Sequence, residues 1–354
     1  MNNTQKNIIK AAIRAPSGDN CQPWWFKYNE DGQLQIGIDP ARAKSFFDFK
    51  MCGTLLSLGA VLENIRTQAA NEGFFTRETH YDLIKNQLEA PLVSIEFIND
   101  KSLSVSSTCI TAINTRTVNR RPYLPFRMKD NAIQWMKEFH DNNTQVHTYT
   151  SRRDIKKWAQ LIYLADRIRY SHPAIHEDVF SKILLTTKEA QIKRMGLEID
   201  RLGAGPLAGP IIRLIKPWDR LKRLSIFGVD NALAYQSKFT ALMTGAMVLV
   251  TIPSDNKNDW INAGKSVQKL WNTAHEKKLC IHPMTVALYI DARFQDEGNV
   301  NFLPSHIPLL EKIKANLSEI IPNNRTGAML FRIGYGFRMK TPAIRLPEES
   351  FIKT

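Results

Sequence analysis

The sequence predicts an α+β fold, with mixed sheets flanked by helices and the chain divided into two unequal units. Three observations predict it. Segments with apolar residues at helical spacing alternate with short strand-like runs along the whole chain, and no low-complexity stretch interrupts them. The length, 354 residues, is long for one simple core and comfortable for two lobes. A faint internal repeat aligns Gly59 with Gly264, Ala69 with Ala274 and Phe74 with Leu279.

Taken in order, residues 5–14 read as a helix, with Ile8, Ile9, Ala12 and Ile13 on one face and Pro16-Ser17-Gly18 as its stop. Trp24–Tyr28 and Leu34–Ile38 read as strands joined by an Asn29-Glu30-Asp31-Gly32 turn. A long helix covers 53–71, with Leu55, Leu58, Leu62 and Ile65 inward and Gly73 closing it. Pro91–Ile98 is then a strand. The second series is a helix at 130–140, a strand at 145–150 and a helix at about 152–168. Residues 170–235 mix helical pieces, basic residues and a broken stretch (Gly203, Gly205, Pro206, Gly209, Pro210), and read as a lid or an insertion. Helices at 235–250 and 258–276, a strand at Met284–Tyr289, a helix at 306–320 and a strand at Phe331–Tyr335 with an extended tail complete the chain.

Composition narrows the classes. A hydrophobic fraction of 43% is that of a globular protein and too high for a disordered one. The best apolar run, Ala241–Ile252, is too short to span a bilayer, and Met1–Arg14 lacks the pattern of a signal peptide, so no membrane partner and a cytoplasmic location are expected. Cys21, Cys52, Cys109 and Cys280 have no metal-ligand spacing and read as free thiols. The net charge of +14 comes without a run of five basic residues or a nucleic-acid-binding signature, so a solvated basic surface is expected rather than a nucleic-acid partner. His172 and His176 are separated by Pro173 from the helix that a metal pair would need, and Gly203-x-Gly205-x-x-x-Gly209 lacks the dinucleotide spacing.

Four segments have the residue types for chemistry. Ala15-Pro16-Ser17-Gly18-Asp19-Asn20-Cys21-Gln22-Pro23-Trp24 joins a helix to a strand; its prolines stiffen the turn, Gly18 permits close approach, and Ser17, Asn20 and Gln22 offer polar groups to a heteroaromatic edge. On chemistry alone it is also an ordinary capped turn. Asn114-Thr115-Arg116-Thr117-Val118-Asn119-Arg120-Arg121-Pro122-Tyr123 sets three guanidinium forks and a hydroxyl close together, which suits a phosphomonoester and equally a basic surface loop. Phe331-Arg332-Ile333-Gly334-Tyr335-Gly336 is followed by Pro342-Ala343-Ile344-Arg345-Leu346-Pro347. The fourth segment runs from Ala263, Gly264, Gln268, Leu270 and Ala274 through Lys278-Leu279 to Pro283 and Met284.

Together these segments resemble the motifs of the flavin-dependent nitroreductase family: its A-P-S-x-x-N-x-Q-P-W turn, its arginine-rich phosphate segment, its A-G-x-x-x-Q helix with the turn that faces flavin N5, and its C-terminal strand with a later arginine. The resemblance implies FMN as cofactor. Pro16, Ser17, Gly18, Asn20 and Gln22 would line the ring or ribityl chain, and Arg116, Thr117, Asn119, Arg120 and Arg345 would form the phosphate end. Pro283 and Met284 would lie at the flavin-facing turn. Arg332 is expected to support its strand, and one residue extra to the pattern, Val118 or Asn119, leaves Arg120 and Arg121 as alternatives.

In ordinary members the arginine segment precedes the P-S turn and the flavin lies between two protomers; here it follows the turn. That order is similar to a fused branch exemplified by mycobacterial dormancy-associated nitroreductase-like proteins. It implies half-units at 1–105 and 106–354, with the lid or insertion at 170–235, forming a pseudo-dimer with one FMN site. The Tyr170-Ser171-His172-Pro173 stretch lacks the polar signature of a second site. The implied activity moves electrons or hydride from NAD(P)H to a nitroaromatic, quinone or similar acceptor, with no protein side chain named as acid or base. A protein that only sequesters FMN and a basic nucleic-acid-binding module are the alternatives.

Overall fold

The computed structural model of the chain describes residues 1–82, 90–140, 143–203, 205, 208–322 and 324–353. Pro206 of the Gly/Pro stretch lies outside the described residues. The elements, in chain order, are α1 (Asn3–Ala12), β1 (Trp24–Tyr28), β2 (Leu34–Ile38), α2 (Cys52–Asn71), β3 (Phe74–His80), β4 (Pro91–Asn99), α3 (Ser107–Thr115), α4 (Asp130–Ile133), β5 (Gln145–Tyr149), α5 (Arg152–Ser171), α6 (Pro173–Ser181), β6 (Ile183–Leu184), α7 (Thr187–Lys193), β7 (Leu197–Glu198), α8 (Ala208–Ile215), α9 (Trp218–Ser225), α10 (Val229–Leu242), β8 (Ala246–Ile252), α11 (Lys257–Glu276), β9 (Cys280–Pro283), α12 (Val286–Glu297), α13 (Ile307–Ile320) and β10 (Thr326–Gly334). No described helix is long and apolar enough to cross a membrane.

The α+β architecture is two four-stranded sheets flanked by helices. Their orders are β1-β2-β4-β3 and β5-β8-β10-β9, and both are antiparallel throughout. Parallel pairing occurs between β6 and β7 and at the Phe26–Ile352 bridge. Within each sheet the chain visits the same positions: first, second, fourth, third. In each, one 20-residue helix joins the second strand to the third, α2 in one case and α11 in the other. These two helices start and end at positions that the Gly59–Gly264 alignment makes equivalent. The residue two past each helix is left-handed, Gly73 at φ 82° and Lys278 at φ 60°.

The aligned glycines touch. A Cβ on Gly59 would lie 1.9 Å from the Ile261 carbonyl oxygen, and one on Gly264 would lie 2.0 Å from that of Leu56. The contact is reciprocal: residues 56 and 59 of one helix meet 264 and 261 of the other. Only glycine lets two helix backbones come this close. Around the crossing, one apolar cluster joins α1, α2, the first sheet, α11 and one face of the second sheet. A second cluster fills the space between the other face of that sheet and α5, α12 and α13.

Four elements differ from the sequence expectation, one of them the last strand, which begins at Thr326 and not Phe331, and β3 was not anticipated. The helix expected at 235–250 ends at Leu242, and Ala246–Ile252 is strand β8. All seven of its residues are buried: Ala246, Val248, Val250 and Ile252 face the first cluster, while Met247 and Leu249 face the second. A strand buried on both faces shows no alternation, so periodicity cannot separate it from a buried helix. The strand expected at Met284–Tyr289 is instead the start of α12, whose buried Ala287, Leu288, Ile290, Asp291 and Phe294 follow helical spacing; the strand is β9, four residues earlier. The helix expected at 130–140 is one α-turn followed by a tighter 3₁₀ segment, Gln134–Phe139.

Candidate functional site

A cavity of about 310 Å³ lies where the α1–β1 turn, the segment after α3, the start of α2, β9 and the C-terminal tail converge. That volume is at the lower end of those usual for small-molecule sites. Of the residues singled out from sequence, Pro16, Ser17, Gly18, Asn20, Arg116, Thr117, Arg120, Pro283 and Arg345 line it, and Gln22, Asn119 and Met284 do not. Leu56, Val118, Trp271 and Met329 supply apolar wall.

The turn after α1 is held in an unusual shape. Asp19, Asn20 and Gln22 have φ values of 48°, 58° and 51°, a conformation disfavoured for residues other than glycine. Its own side chains and Arg345 fix it, through hydrogen bonds to distant segments. Gln22 is fully buried: its backbone N–H donates to Ser17 Oγ, its Nε2 donates to the Asn20 and Arg194 carbonyls, and its Oε1 accepts from Leu346 N–H. Asn20 Nδ2 donates to the Ile344 carbonyl, and its Oδ1 accepts from Arg345 Nη1 at 2.8 Å.

Arg345 also donates through Nε to the Ile13 carbonyl at 3.0 Å and through Nη2 to the Arg14 and Ala15 carbonyls. Its guanidinium therefore caps the carbonyl end of α1 and pins the turn to the tail. Asn119 is likewise structural, with Nδ2 donating to Cys280 Sγ and the Phe337 carbonyl. Met284 donates its backbone N–H to the Leu330 carbonyl. Arg121 is exposed, whereas Arg120 lines the cavity.

Arg116 is different. It is 5% exposed and stacks on Trp271, with its guanidinium carbon 4.5 Å from the ring centre. Only Nη2 has a partner, the Arg14 carbonyl at 3.3 Å; Nε and Nη1 are buried with none. Burial, then the charge of Arg14, brings its pKa down to about 9. Arg14 carries a buried Nε without a partner, and burial lowers its pKa too, with Arg201 adding to the effect. The Arg345 pKa is also pulled well down, by burial and then by Arg116, Arg14 and Arg201; Glu198 is the acid that opposes this. Glu198 is already engaged by Arg201 Nε at 2.8 Å. This end of the cavity thus concentrates positive charge with little compensation.

Two other cationic groups of the wall, Lys182 and Arg169, face carboxylates. Lys182 reaches Asp19 at 3.4 Å and Asp178 at 2.7 Å, and Arg169 lies 3.6 Å from Asp166. Burial brings the Arg120 pKa down to about 10, opposed by Asp19. Elements from 170–202 meet the turn and tail here. Besides the Lys182 and Arg194 contacts, Arg201 donates to the Thr341 and Pro342 carbonyls, and Glu198 accepts from Ile344 N–H. His172 and His176 are occupied structurally: His172 Nδ1 accepts from Ile175 N–H, and each Nε2 lies against a backbone carbonyl, of Asn301 and Ile215.

Sequence reasoning missed several wall residues. Lys182 and Arg201 lie in the 170–235 stretch with no readable pattern, and Arg169 lies at the end of the helix before it. Trp271 had a signal, since it falls within a segment already singled out. His282 was missed because β9 was misplaced.

No protein-family profile matches the chain. It is similar to an uncharacterised protein of Mycobacterium tuberculosis, MT1398, with 24% identity over 338 residues, covering 93% of this chain and 45% of that protein. The chain therefore spans under half the length of this relative. Among solved structures it is similar to a nitroreductase-like family protein from Bacillus cereus, at 13% identity and a TM-score of 0.36, covering 71% of this chain and 97% of the other. It is also similar to a protein from Anabaena variabilis assigned by name as a nitroreductase, at 9% identity and a TM-score of 0.42, covering 94% and 88%.

Proposed function

We propose that the chain is an FMN-dependent oxidoreductase of the nitroreductase type, passing electrons or hydride from NAD(P)H to a nitroaromatic, quinone or similar acceptor. The observation that carries the reading is Arg116. A buried guanidinium with Nε and Nη1 unpartnered is costly by itself and leaves charged N–H donors free for the oxygens of a phosphate. A phosphomonoester carries about −1.5 to −2 charge at neutral pH, the sign that the Arg14–Arg116–Arg345 end lacks. The motif order adds the flavin to the phosphate, and the apolar wall suits a flat heteroaromatic ring.

Bound FMN would supply reversible hydride and electron chemistry. The protein's part is placement and electrostatics. Arg116 holds the phosphate with Arg14 beside it, and Trp271 keeps the Arg116 fork in plane. Arg345 works one step back, fixing the α1 end and the strained turn, while Pro16 to Asn20 and Pro283 form walls. In this reading 1–105 and 106–354 are fused half-units related by the α2–α11 crossing, and the elements from 170 to 235 act as a lid that limits water.

The test is the visible spectrum of purified protein together with titration by FMN and riboflavin. A yellow protein, bleached by NAD(P)H and preferring FMN to riboflavin at least tenfold, is expected. A colourless protein that binds neither flavin overturns the reading.

A further inference from the structure

His282 sits on β9 directly opposite Arg332 on β10, and paired residues on neighbouring strands project to the same face. Arg332 is fully buried, and every nitrogen of its guanidinium is engaged. Nη1 donates to the Thr240 and Met243 carbonyls, Nη2 to those of Asn119 and Arg121, and the group lies 3.9 Å from the centre of the Tyr123 ring. Its remaining donor, Nε, points at His282 Nδ1 at 3.1 Å.

A guanidinium only donates. His282 Nδ1 must therefore be the lone-pair nitrogen, and in the neutral ring the proton resides on Nε2. A second proton on Nδ1 would collide with the Arg332 N–H and add charge beside a buried cation. Burial, then Arg332, Arg120 and Arg169, hold this histidine well below its ordinary pKa. Arg332 is not part of the cavity wall and His282 is, so the ring turns its Nδ1 edge away from the cavity. No hydrogen bond joins Nε2 to the protein among the described residues.

We propose that His282 is a specificity-determining hydrogen-bond donor: the fully engaged Arg332 locks its ring as the neutral Nε2–H tautomer, and that N–H meets an oxygen of the electron acceptor in the cavity. This rests on the oxidoreductase reading and names the acceptor chemistry. A ring that cannot take a second proton does not serve as an acid; it polarises an oxygen that gains negative charge while keeping its own proton. Nitro and quinone oxygens have that character, and an acceptor without a lone-pair oxygen gains nothing from the site.

Two experiments decide it. In ¹⁵N-histidine-labelled protein, the His282 signals, assigned by their loss in His282→Gln, should show an unprotonated Nδ1 and a protonated Nε2, unchanged from pH 5 to 8. A protonated Nδ1, or titration in that window, overturns the lock. In flavin-loaded protein, His282→Phe should lower kcat/KM for a nitro or quinone acceptor about tenfold, the scale of one lost hydrogen bond. His282→Gln, which retains an N–H donor, should recover most of it. Reduction by NAD(P)H and FMN affinity should stay within about twofold in both variants, as the same scale implies for contacts left in place. Equal loss in both variants, or no loss in His282→Phe, overturns the donor role while leaving the flavin reading intact. A protein that binds no flavin overturns both.

Discussion

Replacing Arg116 by methionine should make the ligand-free protein more stable and the FMN complex weaker. The two effects have the same origin. The fall of the Arg116 pKa from its ordinary value to about 9 corresponds to at most roughly 5 kcal/mol against the charged form, at about 1.36 kcal/mol per tenfold. Stacking on Trp271 returns about 1–2 kcal/mol, and the bond to the Arg14 carbonyl about 1 kcal/mol. Methionine has a similar length, fills the site beside Trp271 and leaves no polar atom unpaired. Ligand-free Arg116→Met is therefore expected to gain about 1–3 kcal/mol. Spread over the unfolding entropy of 354 residues, that is a rise in Tm of about 1–4 °C. FMN affinity should fall about 10- to 100-fold for loss of the charged bonds to phosphate, and riboflavin affinity should barely change. Differential scanning calorimetry without flavin and fluorescence titration with each flavin measure the two. A less stable ligand-free variant would show that the guanidinium is satisfied within the protein. Equal loss of FMN and riboflavin would remove the phosphate from this end of the cavity.

Arg345→Lys tests the opposite assignment, because its donors are occupied by the α1 carbonyls and Asn20. It should lower stability by about 2–4 kcal/mol, with FMN and riboflavin weakened alike; a selective loss of FMN would make Arg345 a phosphate ligand. Gly59→Ala should destabilise, although alanine in an open helix interior would stabilise by about 1 kcal/mol. The added Cβ, 1.9 Å from the Ile261 oxygen, forces the helices apart, for a net loss of about 2–4 kcal/mol. Gly59→Ala with Gly264→Ala should cost less than the sum, since both force apart the same crossing. An increase in stability from either substitution would contradict the close crossing. Flavin-to-protein ratio, measured together with mass in solution, should give one FMN per chain; two per chain would reject a single site.

The legible parts of the sequence were those with local grammar. Trp24–Tyr28 and Leu34–Ile38 fall on β1 and β2 at the residues expected, because alternation and a turn at Asp31-Gly32 define a hairpin locally. The Pro16–Asn20 turn and the Arg116–Thr117 segment were visible as residue types, and the structure brings both to one cavity. Their different duties were not visible. Nothing local distinguishes Arg116, with two unpartnered nitrogens, from Arg345, whose nitrogens are occupied, since the partners of Arg345 lie more than three hundred residues away. Gln22 looked like a ligand group for the same reason and is instead a buried brace. The β8 error arose where burial on two faces erased the period that distinguishes strand from helix.

The repeated topology also bears on why one cavity, not two, would hold the cofactor. The equivalence set by Gly59 and Gly264 pairs Leu56 with Ile261 and Ser57 with Asn262, so the lower wall of a symmetry-related site keeps its apolar residue. It pairs Trp271 with Arg66. In α11 the indole supplies the face on which Arg116 stacks; in α2 the same position carries a guanidinium bound to Glu63 at 2.6 Å, with its charge already answered. An arginine in the related location would meet a cation in place of a ring, and a phosphate there would compete with Glu63. The close crossing serves packing for both helices, while the unpartnered guanidinium lies on one side. Strain follows the same division. Left-handed Asp19 and Asn20 line the cavity that has Trp271 and Arg116, whereas His172-Pro173, near the corresponding turn, simply begins α6, with His172 as its cap. Unpaired charge thus gathers at one end of a molecule whose sheets and long helices are laid out twice, as expected where a ligand supplies what the protein alone leaves unsatisfied.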